Sequence, residues 1–118
     1  MKIKDSKTIL GPAGAHPAII YAMDVVDRII RRRTGRQMRV TGLSEEGHSE
    51  GSRHYGIIGD PRCYAFDFDA DDATMTAAQR VQIEGDIIKR LSVEDFDFLW
   101  EALGTPSAHG HLEFDPMP

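Results

Sequence analysis

Three short segments, CYAFDFD at 63–69, FDFLWE at 96–101 and HGHLEFD at 109–115, alternate large apolar side chains with polar ones. Successive side chains on a strand point to opposite sides, so this period of two marks strands with one buried and one exposed face. In the first, Tyr64, Phe66 and Phe68 oppose Cys63, Ala65, Asp67 and Asp69. In the second, Phe96, Phe98 and Trp100 oppose Asp97, Leu99 and Glu101; in the third, Leu112 and Phe114 oppose His109, His111 and Glu113. QMRVTG at 37–42 sets Met38 and Val40 against Arg39 and Thr41 in the same way. The aromatic sides need a cover, and that requirement shapes everything else.

Two helices can provide it. Pro17 suits a first helical turn, Ile19, Ala22, Met23, Val26, Ile29 and Ile30 follow at helical spacing, and Gly35 sits at the C-terminal cap position. Asp24, Asp27, Arg28 and Arg31 are expected on the solvent side, and Arg31, Arg32, Arg33 and Arg36 read as cations at the negative end of the helix dipole. Thr76 is a natural N-cap for a second helix, expected to turn Ala77, Val81, Ile87, Ile88 and Leu91 inward. Gly85 inside it costs about 1 kcal/mol against alanine and predicts close packing on a neighbour. The fold class is therefore α+β: a small antiparallel sheet, two main helices on one face, and a site on the other. Residues 1–15 read as an extended lead-in and 16–118 as a single domain.

The face opposite the aromatics gathers Asp67, Asp69, Glu101, His109, His111 and Glu113. Desolvating unpaired charges is costly, so these groups must be solvated, mutually paired or neutralised by a cation. Two imidazoles and a carboxylate with an open fourth position make a zinc environment, whereas two strand histidines without metal are the plainer alternative. The long polar stretch LSEEGHSEGSRHYGIIGDPRC, without sustained periodicity, is the kind of loop that is usually functional or disordered. Asp67, Asp69 and Asp71 lack the glycine and glutamate offsets of a calcium-binding EF-hand. Phe96, Phe98 and Trp100 read as core, not as a sugar-stacking platform.

In chain order, the first helix, RVTG, GHSEG, SRHY, AFD, the second helix, FDFLWE and the closing HGHLEFDP cover about residues 16–116. This succession resembles the zinc D-Ala-D-Ala carboxypeptidase and L-alanyl-D-glutamate endopeptidase family of peptidoglycan hydrolases, and within it the short phage endolysin-like members of Hedgehog/DD-peptidase fold. The resemblance implies Zn2+ held by His54, Asp67 and His111, with Glu101 as general base and His109 stabilising the oxyanion. It implies Ser52, His48 and Arg53 as substrate-binding groups and Glu113 as a partner orienting a ligand imidazole. The spacer GIIGDPRCYAF after Tyr55 is longer than the family's, so Asp69, and less directly Asp60, compete with Asp67 as the carboxylate ligand. Ala108 stands where many members carry an acid, which makes a catalytically impaired binding or virion component the alternative to a peptidase.

Partners are bounded by charge and hydropathy. A net charge of −5 and a pI near 5.4 disfavour nucleic acid, whose phosphates need a basic footprint. No signal peptide and no membrane-spanning run can be read, so synthesis in the cytoplasm, with action on the cell wall after release, is the expectation. A peptidoglycan peptide is the expected substrate and a monomer the expected state. A single cysteine, Cys63, excludes an internal disulfide.

Overall fold

The structure, a computed structural model, describes residues 1–3, 14–43 and 63–115. Helix α1, Pro17–Thr34, starts on proline at a position where the missing N–H costs nothing. His16 caps it, its Nδ1 accepting from the Ala18 N–H at 3.0 Å. Gly35 ends it in the left-handed conformation, φ 74°, and returns its N–H to the Arg31 carbonyl. Ile19, Ala22, Met23, Val26, Ile29 and Ile30 are all buried. Asp27 is buried as well, contrary to its expected place on the solvent side. Its carboxylate accepts from the Met38 N–H at 3.0 Å and from Arg31 Nε at 2.9 Å, which satisfies the charge and ties the helix to the following strand.

Helix α2, Ala77–Arg90, begins with a capping box. The Gln79 N–H donates to Thr76 Oγ1 at 3.1 Å and the Thr76 N–H donates to Gln79 Oε1 at 2.9 Å. The helix buries Ile83 and Ile87, with Leu91 continuing the line just beyond it. Val81 and Ile88, expected inside, are 73% and 53% exposed. The helix carries two apolar sides, and the core selected the one running through Ile83, which periodicity alone does not distinguish. Gly85 corrects its expectation too: among the described residues, a Cβ added there meets nothing within 4 Å. Between the helices, Arg33 grips Asp86 with two hydrogen bonds, Nε to Oδ2 at 2.8 Å and Nη2 to Oδ1 at 3.0 Å.

The sheet runs β1-β2-β3-β5-β4, with β1 Lys2–Ile3, β2 Arg39–Gly42, β3 Ala65–Asp69, β4 Phe96–Glu101 and β5 His109–Phe114. Strands β2 to β5 pair antiparallel, and β1, from the start of the lead-in, joins β2 in parallel. Both helices cover one face. Val40, Phe66, Phe68 and Leu112 lie beneath them at 0% exposure, with Phe96, Phe98, Trp100 and Phe114 packed around. Phe68 stacks on Phe98 with centroids 6.0 Å apart and meets Trp100 edge-on at 5.9 Å, arrangements that aromatic quadrupoles favour. The α+β class and the coarse layering agree with the alternation in the sequence.

Phe68 also lies over Gly110, its cross-strand partner. A Cβ at Gly110 would sit 2.6 and 2.8 Å from two ring carbons, so only glycine lets the ring lie flat there. Gly110→Ala is expected to destabilise the domain by about 1–3 kcal/mol through overpacking, measured by urea denaturation. An unchanged midpoint would contradict this packing.

The Arg33–Asp86 link predicts a pH dependence. The Arg33 hydrogen bonds, more than the opposing desolvation, hold the Asp86 carboxyl below its ordinary value of 3.8. Because the folded value is depressed, the link's stabilisation is full above that ordinary value and is lost as pH falls through the folded one. The stability difference between wild type and Asp86→Asn should therefore be constant near neutrality and shrink in acid below about pH 4. Urea titrations across that range measure it.

Candidate functional site

The face away from the helices is built by the β3–β5–β4 ladder. Asp67 pairs across with His111 and Asp69 with His109; on the other side of β5, Glu101 pairs with His109, Leu99 with His111 and Asp97 with Glu113. Directly opposed strand residues place their side chains close together on one face. The register thus converts scattered sequence positions into a grid of carboxylates and imidazoles.

His111 is at its centre. Its Nδ1 lies 2.7 Å from Asp67 Oδ1 and its Nε2 lies 3.0 Å from Glu113 Oε1. A neutral imidazole carries one N–H and can donate to only one of these carboxylates. The second contact requires a further proton, on the ring or on the carboxyl group, or a cation shared between nitrogen and carboxylate. The His111 and Asp67 side chains are only 14% exposed each, so water screens them weakly.

One pair along, His109 Nε2 is 3.5 Å from Glu101 Oε1, while its Nδ1 is 2.9 Å from the Ser107 carbonyl. That carbonyl accepts only from an N–H, which puts a proton on Nδ1 and leaves Nε2 facing Glu101. Asp69 is drawn the other way: Arg39 Nη1 donates to its Oδ2 at 2.6 Å. Arg39, Thr41, Asp67, Asp69, Ser107 and His109 line an open cleft of about 310 Å³ beside the His111 pair.

Strand β2 shapes the room for Asp67. Its register slips between Val40 and Gly42, so that Gly42 and not Thr41 stands opposite Asp67. A Cβ at Gly42 would be 2.9 Å from Asp67 Oδ2. The bulge and the glycine together leave space for the carboxylate, a feature that strand alternation does not foretell. Cys63 is fully buried, with Sγ 2.9 Å from the Leu43 carbonyl and 2.8 Å from that of Ala65.

Of the residues singled out in the sequence, Asp67, Glu101, His109, His111 and Glu113 share this face. His48, Ser52, Arg53, His54 and Asp60 lie outside the described residues. Among the described residues, the group whose ligand atoms all fall within 4.8 Å of one another is Asp97, Glu113 and Asp115, which could hold a metal ion. Asp97 and Asp115 were not among the expected ligands. Their signal was the register: Asp97 faces Glu113, and Asp115 follows Glu113 by two residues, just past the end of β5. Three carboxylates alone suit a hard cation, whereas the imidazole beside Asp67 suits zinc.

Protein-family models, curated proteins and solved structures yield no match to this chain. No helix among the described residues is long and apolar enough to cross a membrane.

The Gly42 geometry is testable. Gly42→Ala should displace the Asp67 carboxylate from His111 and shift the His111 ring-nitrogen resonances in 15N NMR, with the fold retained by circular dichroism. Unmoved resonances would show that the glycine is not what makes room for Asp67.

Proposed function

We propose that the outer face of the sheet is the active face of a zinc-dependent peptidase that hydrolyses an amide bond in peptidoglycan stem peptides. The observation that supports this reading is the carboxylate–imidazole–carboxylate line through Asp67, His111 and Glu113, which a cation at the Asp67 end would satisfy. His111 Nε2 would then keep its proton and donate it to Glu113, which fixes the ring, the usual support for a metal-bound histidine. Asp69, occupied by Arg39 and facing His109, is the weaker candidate for the carboxylate ligand.

Asp67 and His111, with His54, would hold the zinc, which supplies a Lewis acid for the scissile carbonyl and acidifies water. The chain's own groups carry the protons. Glu101, half exposed, would take a proton from water and deliver it to the leaving amine. His109, with its Nδ1 proton committed to the Ser107 carbonyl, offers Nε2 beside Glu101. With Nε2 protonated from solvent before the step, it would donate that N–H to the developing oxyanion. The open cleft along Arg39, Thr41 and Asp69 supports an extended peptide lying across β2 and β3.

A second reading rests on the β4–β5 register. Glu101 stands opposite His109 and not opposite His111, one cross-strand pair away from the Asp67–His111 contact. That offset, together with Ala108, favours a relative that binds metal and wall peptide without cutting, as a binding or virion component.

Two measurements separate these readings. Purified protein should hold about one zinc per chain, and His54→Ala or His111→Ala should lower its affinity by at least about tenfold. Zymography on peptidoglycan should show clearing by the wild type and a loss of roughly 10²-fold or more in Glu101→Gln. Zinc without clearing would favour the binding component, and no zinc at all would remove both.

A further inference from the structure

The solvent side of α2 has no role in the fold or in the site just described, yet it is apolar. Ala78, Val81, Gly85 and Ile88 recur at intervals of three, four and three residues, the spacing of a helix–helix seam. With roughly 100° of turn per residue they form one stripe, about opposite the buried line of Ile83 and Ile87. Val81 is 73% exposed, Ile88 is 53% exposed and Ala78 is exposed. Gly85 lies in the middle, where glycine weakens a helix and, among the described residues, nothing comes within 4 Å of its missing Cβ.

We propose that this stripe is a self-association surface, on which α2 of a second copy of the chain packs in parallel about a two-fold axis. Charge selects both the occupant and the direction. Glu84 flanks the stripe on one side and Lys89 on the other, five residues later. In a parallel pair these are the positions that meet across the seam, so Glu84 of each copy faces the partner's Lys89 and both contacts form at once. An antiparallel pair brings the two Glu84 side chains toward each other instead. At the centre, paired glycines let the backbones approach closely, and Val81 and Ile88 each meet their own counterpart. The seam spans only one helix of 14 residues, so the interface is small and the dimer weak. This inference is independent of the peptidase reading and departs from the monomer expected on sequence.

Sedimentation equilibrium on the full chain, from about 5 µM to about 1 mM, tests it. A concentration-dependent monomer–dimer equilibrium is expected. Val81→Glu and Ile88→Glu should raise its dissociation constant by at least about tenfold, since each buries a charge at the seam, while leaving the thermal midpoint of the monomer unchanged. Gly85→Ala should split two readouts: a higher midpoint, from better helix propensity in open space, and a weaker dimer, from a methyl group at the closest approach. Glu84→Lys and Lys89→Glu should each weaken association about two- to fivefold, and the double exchange should restore it. A chain that stays monomeric throughout overturns the inference. So does a dimer indifferent to Val81→Glu, a double exchange that fails to restore association, or a Val81→Glu monomer that melts early because part of its own chain covers the stripe.

Discussion

Everything in this domain depends on the pairing of β3 with β5. Five consecutive partners, from Ala65 with Glu113 to Asp69 with His109, alternate between the two faces of the sheet. On one face this sets Phe66 against Leu112 and Phe68 over Gly110, the centre of the core. On the other it sets Asp67 against His111. A slip by a single residue would exchange the faces, driving Asp67 and His111 under the helices and the aromatics into water. Burial of Phe66 and Phe68 therefore holds the polar pair in place, and the Phe68 ring on Gly110 marks the register residue by residue.

The two faces obey opposite rules. The inner one is settled by area removed from water and by shape, which is why a single methyl at Gly110 has nowhere to go. The outer one is settled by charge and proton count. Asp67, His111 and Glu113 form a line that a neutral ring cannot satisfy from both ends while both carboxyl groups are ionised, and Arg39 meanwhile neutralises Asp69. Even the separate acidic group, Asp97, Glu113 and Asp115, shares Glu113 with that line, so a cation at either position changes the charge felt at the other.

Much of the fold was legible where periodicity and chemistry agreed. The α1 sequence has proline first, glycine last and an unbroken apolar stripe, and each is used as the pattern suggests. The strands with alternating aromatics placed Asp67, Glu101, His109, His111 and Glu113 on one face before their neighbours were known. Legibility failed where a residue's role depends on what lies beside it. Asp27 looked like a surface charge until the Met38 N–H and Arg31 enclosed it. Val81 and Ile88 looked like core because α2 has two apolar sides, and Gly85 looked packed because glycine in a helix normally has an internal reason.

The chain's own pattern was enough to determine two helices, strands with one apolar face, and the types of group that collect on the other, because these follow from local geometry with periods of 3.6 and 2. Only the tertiary structure decided which side of α2 is buried, which carboxylate faces His111, and that Gly42 stands across from Asp67. Those outcomes turn on strand register, a bulge in β2 and the docking of one element on another. Such contacts join residues far apart in sequence, and no local periodicity encodes them.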